Sequence, residues 1–330
     1  MKVAILDDYQ QIAESLADWS QLPQGTEVRF FQDHLSDEGQ LAERLKDFQV
    51  IMGMRERTGF SRSLLERLPE LRLLITSGGR NAVFDEEAAS ELGIVLCGTT
   101  GQGEGPAELT WGLIIGLLRQ IPLEDKLTRE GKWGTTVGVG LKGKTLGLVG
   151  LGHIGSLVAR VGHAFDMNLI GWSQNMTAER AAECNATLVN KDELFQQSDV
   201  VSIHLKLSQR TTALVGRHEI GLMKPSAYLV NISRGPIVEE TALVEALQRK
   251  SIAGAGLDVF DVEPLPLDHP FLKLSNTVLA PHQGYVTQEA YRSHYPGVVE
   301  DIRAFISGEP VRVINPDVLT STQLRGFDLA

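Results

Sequence analysis

The sequence has little cysteine, little positive charge and no long apolar run. Only Cys97 and Cys184 occur in 330 residues, without a CxxC pair, which argues against a disulfide framework and a zinc site. The longest apolar run, WGLIIGLL at 111–118, is far shorter than the roughly 20 residues that span a membrane. A net charge of −11 argues against general binding to nucleic acid or anionic membranes, which requires a basic face.

The remaining composition is that of an ordinary globular protein. It is 42% apolar and 22% charged, and its length favours two domains. The N-terminal MKVAILDDYQ is too short and too acidic for a signal peptide, so we expect a cytoplasmic protein.

Short apolar runs alternate with helix-length amphipathic segments along the chain. Runs of this length rich in Val, Ile and Leu indicate buried parallel strands in βαβ units. The ten runs lie at 2–6, 50–54, 71–76, 93–97, 145–150, 168–172, 200–205, 227–232, 253–260 and 276–280. The pattern predicts an α/β protein with doubly wound parallel sheets.

Two stretches are predicted to be linkers between domains. GTTGQGEGP at 98–106 is rich in glycine and precedes an apolar helix predicted from about 107 to 119. HQGYVTQEA at 282–290 precedes the last predicted helix. We therefore predict a smaller α/β domain over 1–102 and a Rossmann domain over 103–286.

A glycine pattern follows the strand predicted at 144–149. Gly150, Gly152 and Gly155 form GxGxxG, and apolar residues at helical spacing follow from Ile154. Such a turn lets the backbone approach a pyrophosphate, while the helix N-terminus presents free N–H groups. The strand–turn–helix context predicts dinucleotide binding.

The next strand lacks the acidic residue that usually binds the adenosine ribose. The expected position holds Ser173, followed by Gln174, and no Asp or Glu occurs between Met167 and Ala178. An acid there would bond the 2′-hydroxyl of NAD and repel the 2′-phosphate of NADP. This stretch also supplies no adjacent arginine to bind a 2′-phosphate. Both NAD and NADP therefore remain possible cofactors, with NAD slightly preferred.

Three charged residues follow predicted strands in the second half. Arg234 lies in VNISRGPIVEE, Glu263 in GLDVFDVEPLP and His282 in NTVLAPHQGYVT. Because ligands of open parallel sheets bind beyond the carboxyl ends of strands, we expect these side chains to converge.

The motifs GLGHIG, NISRGPIVEE, DVFDVEP and APHQG, in this order, resemble the D-isomer-specific 2-hydroxyacid dehydrogenases, over nearly the whole chain. The resemblance implies a flavodoxin-like substrate domain over 1–102, to which 287–330 returns, and a Rossmann NAD(P)-binding domain. It also implies a homodimer and a small 2-hydroxy or 2-keto acid as substrate.

The same resemblance implies roles for individual residues. Arg234 would bind the substrate carboxylate, His282 would be the general acid/base, and Glu263 would hold the His282 tautomer. Backbone N–H groups of Ser77, Gly78 and Gly79 would bind the carboxylate as well. Asp258 would bond the nicotinamide carboxamide. The residues assigned to the cofactor are Gly150, Gly152, His153, Ile154, Gly155, Ser173, Gln174, His204, Ile232 and Asp258.

Three arginines of the smaller domain admit two interpretations. Arg55, Arg57 and Arg80 follow its strands or loops, and solvated loop charges are the ordinary explanation. The alternative is that Arg80, together with Arg55, binds an anionic or polar tail of the substrate.

Several functions fit the resemblance. The leading hypothesis is an NAD(P)-dependent dehydrogenase of short D-2-hydroxy acids, and a D-3-phosphoglycerate dehydrogenase is the alternative, although the chain ends soon after VINPDVL, which disfavours a regulatory C-terminal domain. An NAD(H)-sensing, corepressor-like binding protein is the alternative of another class. No metal site is expected.

Overall fold

The computed structural model describes residues 1–101 and 103–327. The chain divides into two compact units, unit 1 with Met1–Gln102 and Thr287–Ala330, and unit 2 with Gly103–Val286. Gln102 and 328–330, which end two of the predicted ranges, lie outside the described residues.

Unit 1 is built on a parallel sheet of five strands in the order β2-β1-β3-β4-β5. This is the doubly wound order of flavodoxin-like folds. The strands are β1 (Lys2–Ile5), β2 (Glu27–Phe30), β3 (Val50–Gly53), β4 (Leu73–Thr76) and β5 (Val95–Gly98). Its helices are α1 (Ala13–Leu16), α2 (Glu38–Leu45), α3 (Arg62–Leu65), α4 (Glu86–Glu91) and, at its C-terminal end, α12 (Gln288–Ile306).

The C-terminal segment of unit 1 pairs with strand β5. Val313 forms an antiparallel bridge with Cys97, and the Ile314 N–H donates to the Leu96 carbonyl at 2.8 Å. The Asn315 carboxamide accepts from the Leu96 N–H at 2.8 Å. Residues 312–315 thus protect the edge of the sheet that β5 forms.

Unit 2 contains a parallel sheet of seven strands in the order β12-β11-β10-β9-β6-β7-β8. Counted within the unit, the order is that of the Rossmann fold, 3-2-1-4-5-6, extended by a seventh strand. The strands are β6 (Thr145–Val149), β7 (Asn168–Trp172), β8 (Thr187–Leu188), β9 (Val200–Ile203), β10 (Tyr228–Asn231), β11 (Gly254–Leu257) and β12 (Thr277–Leu279).

The helices of unit 2 cover both faces of this sheet, and each face has its own apolar core. The apolar helix predicted near 107–119 is α5 and is buried along most of its length. The helices are α5 (Gly105–Leu118), α6 (Ile121–Arg129), α7 (His153–Ala164), α8 (Ala178–Glu183), α9 (Lys191–Gln197), α10 (Arg217–Leu222) and α11 (Glu240–Gln248). Short 3₁₀ helices in the two units span Trp19–Gln21, Gly235–Ile237, Pro270–Lys273 and Pro316–Thr320.

The prediction of two doubly wound parallel sheets is confirmed. Each of the ten apolar runs overlaps a strand, whereas β2 and β8 were not predicted. Both are edge strands, and β2 alternates between exposed and half-buried residues. An edge strand lacks the continuous apolar run of a strand that is covered on both faces, so composition alone does not reveal it.

Candidate active site

The glycine turn joins β6 to α7 as the sequence predicts, and two of its glycines have no room for a side chain. Gly150 has φ +102°, and a Cβ there would lie 2.8 Å from the His204 carbonyl oxygen. A Cβ on Gly155 would overlap the Gly150 carbonyl oxygen. Gly152 differs, since nothing lies within 4 Å of its built Cβ. His153 and Ile154 begin helix α7, whose N-terminus therefore lies at the turn.

The end of β7 lies beside this turn. The Gly150 N–H donates to the Trp172 carbonyl at 2.9 Å, so Ser173 directly follows the residue that contacts the turn. Ser173 is half-buried and Gln174 is exposed. Arg180, from α8, donates from Nε and Nη2 to the Leu151 carbonyl at 3.1 and 2.9 Å. The fold thus brings to the turn an arginine that is not adjacent to Ser173 in sequence.

A half-buried histidine also borders the turn. His204 follows β9, and its Nε2 lies 2.9 Å from Ser202 Oγ. Its Nδ1 is buried and has no hydrogen-bond partner among the described residues. Burial lowers the pKa of His204 to about 3, so the ring is neutral near pH 7. Ile232 is buried in one of the two cores of unit 2.

Glu263 and His282 form a close pair in unit 2. Glu263 Oε2 lies 2.6 Å from His282 Nδ1, and Glu263 Oε1 accepts from the Phe260 N–H at 2.9 Å. Both side chains are mostly shielded, with 12% of His282 and 27% of Glu263 exposed. Because the carboxylate accepts the Nδ1 proton, Nε2 is the nitrogen left to exchange a proton with a ligand.

Asp258 fixes the backbone of the segment that carries His282. It directly follows β11, and its two carboxylate oxygens accept from the N–H groups of Gln283 at 2.6 Å and Gly284 at 2.9 Å. The Asp258 carbonyl accepts from the His282 N–H at 2.7 Å. Burial raises the pKa of Asp258 to about 6, against the opposing effect of these two amides.

Arg234 follows β10 at the start of a tightly packed loop. Its Nη1 donates to the Ser233 carbonyl at 2.5 Å, and its own carbonyl accepts from Asn231 Nδ2 at 2.9 Å. A Cβ on the next residue, Gly235, would overlap the backbone of Phe260. Gly235 therefore lets the Arg234 loop pack directly on the Phe260 backbone, in the loop that leads to Glu263.

The loop after β4 in unit 1 holds the predicted carboxylate-binding amides. The Ser77 N–H donates to the Gly53 carbonyl at 3.2 Å, and the Gly78 N–H donates to Thr99 Oγ1 at 3.0 Å. The N–H groups of Gly79 and Arg80 donate to none of the described residues. Of the three predicted amides, only that of Gly79 is thus available to a ligand.

Thr99, which supports this loop, was not singled out from sequence. Its Oγ1 lies 3.0 Å from Nδ1 of His294 on α12, and the same nitrogen lies 3.1 Å from the Thr100 carbonyl. Burial lowers the pKa of His294 to about 4, so the ring is neutral near pH 7. Gly78 is thereby tied to α12 through Thr99.

The three arginines of unit 1 have different surroundings. Arg55 has φ +52° and lies over Gly78, where a Cβ would overlap Arg55 Nη1. Arg57 donates to the Asp7 carbonyl at 2.7 Å and stacks on Tyr9 at 4.3 Å. Arg80 is exposed and pairs with none of the described residues.

Comparison with known proteins identifies the family. The model of the NAD binding domain of the D-isomer specific 2-hydroxyacid dehydrogenases matches residues 111–284, more than half of the chain. The chain belongs to this family. The chain is similar to the glyoxylate reductase of Thermococcus litoralis, 36% identical over 86% of this chain and 88% of that protein. The D-3-phosphoglycerate dehydrogenase of Methanocaldococcus jannaschii is 37% identical over 82% of this chain and 52% of that protein.

Solved structures agree with the family assignment. The phosphoglycerate oxidoreductase from Vibrio cholerae o395 superposes with a TM-score of 0.88 at 36% identity, over 93% of this chain and 99% of that chain. The sequence-based assignment to the family is confirmed. The enzyme is an NAD(P)-dependent oxidoreductase of 2-hydroxy or 2-keto acids.

The dehydrogenase's unit 2 fits a dinucleotide. Gly150 and Gly155 leave no space for side chains at the turn, and His204 Nδ1 is a buried nitrogen without a partner among the described residues. A pyrophosphate would lie at the turn and the N-terminus of α7, where N–H groups favour an anion.

A group of three potential metal ligands occurs elsewhere in unit 2. Ligand atoms of Asp192, His218 and Glu219 lie within 4.8 Å of one another. Glu219 already pairs with Lys191 at 2.6 Å and accepts from the Gly216 N–H at 2.9 Å. These contacts explain the cluster as a structural ion-pair group. In the part of the chain that the structure describes, no helix is long and apolar enough to cross a membrane.

Three residues make contacts at the site that the sequence analysis does not predict: Asp258, Thr99 and Arg180. A buried Asp258 needs hydrogen-bond donors, and the glycine-containing turn at 282–284 is the only sequence signal of where they lie. Thr99 and Arg180 have no local signal, because the residues they bind lie on other elements.

Proposed function

We propose that the enzyme reduces short 2-keto acids such as glyoxylate or hydroxypyruvate to D-2-hydroxy acids, or catalyses the reverse oxidation. The observation that carries the proposal is the 2.6 Å contact between Glu263 and His282, in the unit that also holds the glycine turn. The glyoxylate reductase relatives, which this chain covers over most of their length, support this substrate class.

His282 is proposed to be the acid/base. With Nδ1 donating to Glu263, a protonated Nε2 gives its proton to the keto oxygen during reduction, and a neutral Nε2 accepts the hydroxyl proton during oxidation. When bound, the nicotinamide cofactor supplies the hydride to C2 in reduction and accepts it in oxidation. The hydrogen bonds of Asp258 to residues 283 and 284 keep the His282 backbone in place.

Arg234 is proposed to bind the substrate carboxylate. A guanidinium matches a carboxylate with two parallel N–H donors, which orients the neighbouring keto carbon as well as attracting its charge. The contact of Gly235 with the Phe260 backbone supports this role, because it holds the Arg234 loop against the loop of Glu263. In unit 1, the Gly79 N–H is proposed as a further carboxylate donor.

A second candidate is a 2-keto acid with an additional anionic group, as in the D-3-phosphoglycerate dehydrogenases. Arg80 supports it, because this exposed arginine pairs with none of the described residues. Arg80 also lines a pocket of about 530 Å³ together with Gly79, Thr99 and Thr100. Arg312 lines it too, but its guanidinium is engaged by Asp301 and Glu300.

We further propose that the enzyme is a homodimer located in the cytoplasm. The two arguments for it are the resemblance to the family and the acidic, cysteine-poor composition. Size-exclusion chromatography with light scattering would test the dimer.

The deciding experiment is an assay of cofactor oxidation at 340 nm. Glyoxylate, hydroxypyruvate, pyruvate, longer 2-keto acids and keto acids with a second anion would each be tested with NADH and NADPH. Turnover that is fastest with glyoxylate or hydroxypyruvate and is lost in His282→Asn supports the proposal. Tight cofactor binding without turnover of any keto acid contradicts it and favours an NAD(H)-sensing protein.

A further inference from the structure

Arg180 extends from helix α8 to the glycine turn. Two of its nitrogens donate to the carbonyl of Leu151, which lies between Gly150 and Gly152. The side chain of Thr177 caps α8 and accepts from the Arg180 N–H at 3.2 Å. The cap fixes the first turn of the helix, and with it the origin of the Arg180 side chain.

The guanidinium retains binding capacity. Its Nη1 pairs with Glu183 at 2.7 Å, and 42% of the side chain is exposed. A guanidinium carries five N–H groups, of which the Leu151 carbonyl and Glu183 engage three. One N–H on each terminal nitrogen therefore has no partner among the described residues.

The residue beside the turn is neutral where it is commonly acidic. Ser173 follows Trp172, whose carbonyl accepts the Gly150 N–H, so Ser173 and Arg180 both border the same turn. An acid at this position excludes a 2′-phosphate by repulsion, whereas an arginine nearby attracts one. The ordinary explanation, that Arg180 only satisfies the Leu151 carbonyl, accounts for two of its donors and does not account for the missing acid.

We propose that Arg180, with Ser173, forms a binding site for the 2′-phosphate of NADP, so that the enzyme prefers NADPH to NADH. The proposal rests on the dinucleotide binding of the proposed function and narrows it to one cofactor. It departs from the slight preference for NAD that the sequence alone suggests. Glu183 is the neighbouring anion that opposes the phosphate.

Binding of adenosine fragments tests the site without turnover. Isothermal titration of the full chain with 2′,5′-ADP and with 5′-ADP, which differ by the phosphate in question, should show about tenfold tighter binding of 2′,5′-ADP, as expected for a charge-assisted contact. Arg180→Ala should remove most of this difference. Arg249→Ala, an exposed arginine of the same unit that pairs with Glu245, is the matched control and should leave it unchanged.

Two further variants separate phosphate binding from support of the turn. Ser173→Asp leaves Arg180 in place and should weaken the binding of 2′,5′-ADP more than the binding of 5′-ADP. Glu183→Gln removes the opposing anion. It should strengthen the binding of 2′,5′-ADP and leave the binding of 5′-ADP unchanged. Either of two results overturns the inference: equal affinity of the native protein for the two fragments, or an equal loss of affinity for both in Arg180→Ala. If the enzyme still turns over keto acids, the proposed function stands. Failure of both fragments to bind, together with no turnover, overturns both.

Discussion

Glu263 Oε2 lies 2.6 Å from His282 Nδ1, and the other oxygen of the same carboxylate accepts the Phe260 N–H. One carboxylate thus orients the imidazole and holds its own loop. Replacing Glu263 by Gln keeps the shape but removes the charge, so we expect kcat/KM to fall about 100-fold. Steady-state kinetics with glyoxylate would measure this, with the cofactor dissociation constant unchanged.

The chain offers a matched control for this variant. Glu240 and His269 form a second carboxylate–histidine pair in unit 2, at 2.9 Å. Glu240→Gln should change kcat/KM by less than about threefold, because this pair has no assigned part in proton transfer. Similar losses in the two variants would argue against a special role for Glu263.

Asp258 should make stability depend on pH. Burial raises its pKa to about 6 in the folded protein from 3.8, so the folded state retains a proton that the unfolded state releases between about pH 4 and 6. Stability therefore falls as pH rises through this range, by up to about 3 kcal/mol from this group. Urea denaturation at several pH values should show the fall relative to Asp258→Asn. Parallel curves for the two proteins would contradict it.

Thr99 is expected to stabilise the loop of unit 1. It is buried, and Thr99→Val leaves the Gly78 N–H without its acceptor, which should lower the free energy of unfolding by about 1–3 kcal/mol. Thr99→Ser keeps the hydroxyl and is the matched control. Chemical denaturation of the three proteins measures the effect, and equal stability of Val and Ser variants would show that the hydrogen bond contributes little.

Alanine substitutions at Gly155 and Gly152 should distinguish an effect on folding from an effect on cofactor binding. Gly155→Ala introduces a clash with the Gly150 carbonyl, so we expect both lower thermal stability and cofactor binding weakened by about tenfold or more. Gly152→Ala meets no atom within 4 Å and should fold normally, with weaker binding only, because a pyrophosphate approaches the backbone there. Unchanged binding in Gly152→Ala would place the pyrophosphate elsewhere.

Arg80 should distinguish substrates by their charge. Arg80→Ala is expected to raise KM about tenfold for 2-keto acids with a second carboxylate or a phosphate, and to leave KM for glyoxylate unchanged. Arg29, an exposed arginine paired with Glu27 on edge strand β2, is the control. An unchanged KM for every anionic keto acid in Arg80→Ala would remove Arg80 from the site.

The sequence predicted much of this fold because its signals are local. Strands buried on both faces are rich in continuous apolar residues, and each of the ten runs overlaps a strand. The sequence does not predict edge strand β2, because a half-exposed strand needs no continuous apolar run. The turn at Gly150–Gly155 was predictable because close backbone packing tolerates only glycine at its two ends.

The family, the parallel sheets and the residue types available for chemistry at Arg234, Glu263 and His282 follow from motifs and periodicity in the chain. The contacts around these residues depend on the tertiary structure. It directs the Asp258 carboxylate to the amides at 283 and 284, pairs the Gly78 N–H with Thr99 and brings Arg180 to the carbonyl of Leu151 in the glycine turn. The reason is physical: periodicity and turn chemistry act between neighbours in sequence, whereas a side-chain hydrogen bond depends on which distant elements the packed core brings within about 3 Å.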